Sequence, residues 1–103
     1  MRILDAALKS IWYDAILKGT KKTEYRDMTE YWINKLLDTS KYEGKTIDDI
    51  KDGLSKGTLK LYPRGWTHVR FHCKERTMVW TIEEIKTYDT HTTFAIKLGK
   101  RVE

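Results

Sequence analysis

Trp12-Tyr13-Asp14-Ala15-Ile16-Leu17-Lys18-Gly19-Thr20-Lys21-Lys22-Thr23-Glu24-Tyr25-Arg26 is the stretch on which the fold turns. Its first half reads as a helix. Ser10 is placed to cap it, and Ile11, Trp12, Ala15 and Ile16 recur at helical spacing as an apolar stripe for a core. Lys18 suits the last turn. Gly19 stands just past it, where a residue in the left-handed conformation commonly ends a helix. The second half changes period. From Lys22 to Arg26 the chain reads as a strand, with Lys22, Glu24 and Arg26 on one face and Thr23 and Tyr25 on the other.

Upstream, Ile3 to Leu8 alternates loosely and predicts a first strand. Downstream, Thr29 caps a short helix whose Trp32, Ile33, Leu36 and Leu37 face inward. Thr46 and Asp49 resemble a capping box with Asp in the usual Glu place, opening a helix that buries Ile47, Ile50 and Leu54. Gly53 weakens that helix and Gly57 ends it. Leu59 and Leu61 suggest a short strand, and Pro63 with Gly65 a turn. From Trp66 to Cys73 the alternation is clean. Thr67, Val69, Phe71 and Cys73 take one face, and Trp66, His68, Arg70 and His72 the other. After the polar turn at Lys74-Glu75-Arg76, Thr77 to Tyr88 holds one long strand or two short ones, with Met78, Trp80 and Ile82 in phase. Thr92 to Leu98 closes the fold with Phe94, Ile96 and Leu98 in phase. Strand, helix, strand, helix, a helical excursion and a run of antiparallel strands predict an α+β fold, its strands best closed into a small barrel.

The Gly19 to Arg26 stretch resembles the ASCH domain family of the PUA-like superfamily, whose signature is a helix ending in Gly, then Lys, then a strand carrying Glu-x-Arg. Gly19, Lys21, Glu24 and Arg26 fill those places. Trp12 to Leu17 matches the helix leading into the signature, and Phe94 to Lys100 resembles the family's final strand. Tyr31-Trp32-Ile33, in a short helix over Glu30 to Leu37, is similar to a subgroup common in phages and gut bacteria. The likeness is strong over residues 1–37 and 92–101 and loose between. It implies a PUA-like β-barrel of about five to six strands with two to three flanking helices and a cleft beside the signature. It also implies a link to RNA binding, to handling of modified nucleotides and, in some members, to hydrolysis. Family membership alone does not fix function.

The totals set the frame. With 103 residues the chain suits one domain, residues 1–103, large enough for a core without staples. A formal charge of +5 favours polyanionic partners, and equally describes a soluble domain rich in Lys. A lone cysteine, Cys73, excludes an intramolecular disulfide and is expected to fill core space. Met1 to Asp5 does not read as a signal peptide and no stretch approaches the length of a membrane span, so the expectation is a cytoplasmic protein without a membrane partner.

Lys21, Glu24 and Arg26 form the strongest chemical cluster. Arg26 can grip a phosphate with two prongs and Lys21 as a point charge, with Lys22 adding to the field. Glu24 can orient Arg26 or accept hydrogen bonds from a base edge; alternatively the three form an ion-pair network that only closes the barrel mouth. Tyr13 and Tyr25 flank the signature as candidate stacking surfaces, and Tyr13 is the better placed if Trp12 belongs to the core. Trp66, His68 and Arg70, with His72, form a second stripe. It extends a basic, aromatic groove for a nucleic-acid backbone or is an ordinary solvated face.

Some relatives in the resembled family act as amidohydrolases on acetylated cytidine through a Lys, a Thr on the same strand and a distant Glu. Lys21 stands in the Lys place, but Glu24 stands where the Thr belongs. The neighbouring Thr23 is turned to the other strand face. Glu83 and Glu84 are candidates for the distant acid. Lys21 and Glu24 are therefore the catalytic candidates if the chain is an amidohydrolase or a ribonuclease, and a binding role ranks above either. A phage-type protein-interaction or inhibitor domain is a further alternative. No metal or other cofactor is expected. His68 and His72, four apart on a strand, are separated by roughly 13 Å, whereas zinc needs ligands about 2 Å away. His91 and Cys73 do not repair that spacing, since Cys73 faces away from His72. No Ser-His-Asp spacing, phosphate-cradling glycine loop or Rossmann pattern is visible.

Overall fold

A computed structural model describes residues 1–88 and 92–103. Its elements are β1 (Ile3–Ala7), α1 (Ser10–Leu17), β2 (Thr23–Asp27), α2 (Glu30–Leu36), a 3-10 turn (Thr39–Tyr42), α3 (Ile47–Lys56), β3 (His68–Cys73), β4 (Arg76–Thr87) and β5 (Thr93–Arg101). The five strands form one sheet in the order β1-β3-β4-β5-β2. Five strands and three α-helices make the α+β class expected from the sequence. The stretch from Thr77 to Tyr88, expected as one long strand or two short ones, is a single unbroken β4. No described helix is long and apolar enough to cross a membrane.

The chain packs as two compact units. The first comprises residues 1–24, 65–84 and 96–103. In it β1 runs parallel to β3, Leu4 opposite Val69 and Ala6 opposite Phe71, and β3 runs antiparallel to β4, Val69 opposite Trp80 and Phe71 opposite Met78. Side chains alternate across a strand, so this register collects Leu4, Ala6, Val69, Phe71, Cys73 and Met78 on one face. All six are buried, and α1 adds Tyr13 and Ile16 to them. The alternation read for β3 holds residue by residue, with Val69, Phe71 and Cys73 inside and His68, Arg70 and His72 half-exposed. Burying a ring the size of Phe71 contributes about 1.5–3 kcal/mol.

The second unit comprises residues 25–64 and 85–95. Both of its helices start as their sequences dictate. Thr29 Oγ1 accepts the Trp32 N–H at 3.2 Å. Thr46 and Asp49 complete a reciprocal capping box, with Asp49 N–H donating to Thr46 Oγ1 and Thr46 N–H to Asp49 Oδ2, each at 3.1 Å. Gly57 ends α3 at φ +75°. Gly53 has a packing reason that propensity hides: a Cβ there would collide with the Leu59 side chain. Ile33, Leu36, Leu37, Ile50, Leu54 and Phe94 are buried in this unit.

Four local expectations are corrected. Leu59 and Leu61 are not in a strand; residues 60–64 run as irregular chain with a single bridge from Pro63 to Leu37. Proline cannot donate to a ladder, and Tyr42 holds the segment instead. Its hydroxyl donates to the Lys60 carbonyl at 2.7 Å and accepts the Tyr62 N–H at 3.0 Å. Ser10 is the first residue of α1 rather than its cap; Lys9 takes the cap position without a side-chain bond. The apolar stripe of α1 is also rotated. Ile11 and Trp12 are exposed, and Tyr13 joins Ile16 inside. Trp32 likewise is only half-buried, with Ile33 and Leu36 carrying the inner side of α2.

Candidate functional site

The end of α1 fixes where Lys21 goes. Gly19, at φ +80°, donates its N–H to the Ile16 carbonyl, and Thr20 N–H donates to the Ala15 carbonyl, both at 3.0 Å. This is the double closure of a glycine-terminated helix, which satisfies carbonyls that the last turn leaves without intrahelical partners. The Ala15 carbonyl also accepts the Lys21 N–H at 3.1 Å and the Thr20 hydroxyl at 3.0 Å. The backbone is thereby pinned one residue at a time from Gly19 to Lys21, just before β2 begins.

Two residues into β2, Glu24 is the one buried charged residue among those described, with 6% of its surface exposed. An ionised carboxylate out of water requires partners. Lys21 provides one, its Nζ 3.4 Å from Glu24 Oε1. The same ammonium lies over the Trp12 ring, 5.0 Å from the centroid, and Trp12 is 46% exposed. A cation over an indole face is attracted by the ring quadrupole. The first unit therefore carries a buried carboxylate, a partly exposed ammonium and an exposed indole in one cluster.

The rotation of α1 exchanges the roles expected of its two aromatics. Tyr13, expected as a stacking surface, is 3% exposed and belongs to the core. Arg76 lies over its ring at 4.3 Å and donates to Asp14 Oδ1 at 3.0 Å. That bond to Asp14 raises the guanidinium pKa above its ordinary value. Trp12, expected as core, is the accessible ring. Adjacent helix positions differ by about 100°, so one step of phase decides which of two neighbouring rings meets water.

The other expected residues are distributed as follows. Lys22 is exposed, and its carbonyl accepts the Leu98 N–H at 3.0 Å. Thr23 lies on the opposite face of β2 from Glu24, as the alternation requires. In the second unit, Arg26 lies over the Trp32 ring at 4.9 Å, and Trp32 meets Tyr31 edge-on. Tyr25 is exposed and meets Tyr88 edge-on at 5.3 Å. Glu83 pairs with Lys97 at 3.6 Å, and Glu84 is exposed.

On the outer face of β3, Asp5 gathers His72 at 2.7 Å and Arg70 at 3.5 Å. His68 Nδ1 is 2.7 Å from Thr67 Oγ1, and Arg2 lies over the Trp66 ring at 5.0 Å. Part of this stripe's charge is thus answered by Asp5. Cys73 is buried in the core. Among the described residues no three His, Cys, Asp or Glu groups converge as a metal would require. His91 lies outside the described residues.

Sequence reasoning missed two members of this region. Arg76 read as part of a polar turn. Trp80 read only as in phase with Met78 and Ile82, and alternation carries no information about its N–H. The indole Nε1 of Trp80 is buried and has no hydrogen-bond partner among the described residues.

No family model, curated protein or solved structure is matched by the chain.

Proposed function

We propose that the chain is an ASCH-like module that binds RNA or a nucleotide through the Trp12, Lys21 and Glu24 cluster. The observation that carries this reading is the arrangement of Lys21, pinned by the glycine-ended helix between a buried carboxylate 3.4 Å away and an exposed indole. In this reading Lys21 holds a phosphate as a point charge, Trp12 stacks on a base, and Glu24 keeps the ammonium in place or accepts from a base amino group. Lys22, exposed beside them, strengthens the local field for an anion. The net charge of +5 favours the capture of polyanions.

Hydrolysis is the less favoured reading. The strand position expected to carry a hydroxyl holds Glu24, and Thr23 lies on the other face. The Lys21 Nζ is also engaged by Glu24 at 3.4 Å, an arrangement that suits holding an anion better than attacking an acyl group.

The test is fluorescence anisotropy with a panel of short labelled single-stranded RNAs at low salt. Wild type is expected to bind, with affinity falling as salt rises, because phosphate contacts release counterions. Lys21→Ala is expected to weaken binding about tenfold or more while circular dichroism shows an intact fold. Failure of the whole panel to bind at low salt would overturn the proposal.

A further inference from the structure

We propose that Trp80 supplies the hydrogen-bond donor by which this site reads its ligand, its Nε1–H donating to a ring carbonyl oxygen of a nucleobase. The inference rests on the nucleotide-binding reading above and extends it to a residue on a different strand.

A buried indole N–H ordinarily finds an acceptor, and leaving one unpaired costs free energy. The Trp80 Nε1 is buried and unpartnered among the described residues. Trp80 lies opposite Val69, on the face that carries the core of the first unit, so the ring is turned inward. Yet it is only half-buried, as is Ile82 beyond it, whereas Met78 on the same face is 1% exposed. The inner face of β4 therefore passes from closed core at Met78 to solvent access at Trp80 and Ile82.

Strand register relates that opening to Lys21. Leu98 N–H donates to the Lys22 carbonyl, so Lys22 and Leu98 stand at one level. The next strand continues it: a Cβ on Gly99 would press on Thr81, and Lys100 N–H donates to Thr81 Oγ1 at 2.9 Å. Thr81 is thus level with Gly99 and, across β5, with the residue before Lys22, which is Lys21. Trp80 is the next residue along. Between β4 and β2 lie two strand spacings, roughly 10 Å. A nucleotide with its phosphate on the Lys21 ammonium spans such a gap with its base. Nε1 itself is covered, so the base reaches it by displacing what lies over it, and the hydrogen bond then forms away from water, where it is worth more. A ring carbonyl is the complementary group, as in uracil, cytosine or guanine, and adenine lacks one.

The experiment titrates wild type and Trp80→Phe with uridine monophosphate by calorimetry, and follows the wild-type indole resonances by nitrogen-15 NMR. Phe keeps an aromatic ring and removes only the donor and the second ring. The expected result is about a tenfold loss of affinity in Trp80→Phe, a downfield move of one buried indole N–H resonance on binding, and thermal stability of the free variant equal to or above wild type. Wild-type binding with unchanged affinity in Trp80→Phe overturns this inference and leaves the nucleotide reading standing. Should Trp80→Phe fold poorly, the NMR arm decides alone: a buried indole resonance unmoved at saturation overturns the inference. No binding by wild type to uridine monophosphate or to any RNA of the panel overturns both.

Discussion

Replacing Lys21 by Ala leaves Glu24 as a buried carboxylate with its ammonium partner removed, and the cost follows from how dry the pair is. The two side chains are 19% and 8% exposed. Breaking a fully buried ion pair by deleting one partner costs about 3–5 kcal/mol, most of it the penalty of the charge left behind. Lys21 retains some contact with water, which lowers the figure, and its cation–ring contact with Trp12 adds about 0.5 kcal/mol. The expected loss is about 2 kcal/mol at neutral pH. In urea, where a small domain loses about 1–1.5 kcal/mol per molar denaturant, the unfolding midpoint moves down by about 1.5 M. The informative partner is Lys21→Ala/Glu24→Gln. Neutralising Glu24 removes the stranded charge, so the double variant is expected to be more stable than Lys21→Ala alone, with an interaction energy of about 1 kcal/mol or more in the cycle. A Lys21→Ala midpoint within experimental error of wild type, or strict additivity of the two single variants, would refute the claim that Lys21 holds Glu24 in place.

Thr46→Ala removes one half of the capping box of α3 and is expected to cost about 1 kcal/mol in urea unfolding. In the wild type the hydrogen bonds from Thr46 hold the Asp49 pKa below its ordinary value. The cap's contribution is therefore present above the usual carboxylate range and is lost as pH falls through the lowered value, a dependence that Asp49→Asn abolishes in a pH series of melts. Tyr42→Phe leaves the Lys60 carbonyl and the Tyr62 N–H without their partner, and is expected to cost about 2 kcal/mol. Burial raises the Tyr42 pKa. The folded state then keeps a proton that the unfolded chain releases near pH 10, so wild-type stability declines as pH rises above about 10. Tyr42→Phe should show a shallower alkaline decline. Gly53→Ala should lower the melting temperature although Ala is the better helix former by about 1 kcal/mol, because its methyl meets the Leu59 side chain. A rise in melting temperature would show that Leu59 moves aside without cost.

What was legible in the sequence was what local chemistry decides. Thr46 and Asp49 announced a capping box because the two groups satisfy each other's backbone within one turn. Gly19 announced the end of α1 because its left-handed backbone is open to glycine at no steric cost. The alternation from His68 to Cys73 announced β3 and its buried side, since a period of two leaves only two choices of face. The rotation of α1 was not legible. Eight residues make barely two turns, and Trp12, Tyr13 and Ile16 are all large and apolar enough to be buried. Only the surface against which the helix packs decides between Trp12 and Tyr13, and that surface includes β3, far along the chain. Leu59 and Leu61 misled for a related reason. Two alternating leucines are too short a pattern to specify a strand, and the Tyr42 hydroxyl captured the backbone there instead.

The candidate site divides the same way. Lys21 and Glu24 were placed correctly together because a glycine-ended helix followed by a strand leaves little freedom between them. Arg26 follows the strand alternation, and its guanidinium lies over Trp32, a contact that spacing alone does not announce. Trp80 entered only through the hydrogen-bond accounting of the folded chain, which no periodicity in the sequence reports.

A short nucleotide ligand seated on Trp12, Lys21 and Glu24 would change the surroundings of the backbone amides at and beside those residues. Nitrogen-15 backbone NMR tests this seating most directly, by titrating the protein with a short single-stranded RNA and mapping which amides respond. Saturable shifts concentrated at Trp12 and from Gly19 to Glu24 are expected, diminished in Lys21→Ala and weakened by salt. Spectra that do not change at low salt, or shifts confined to residues remote from Lys21, would contradict it.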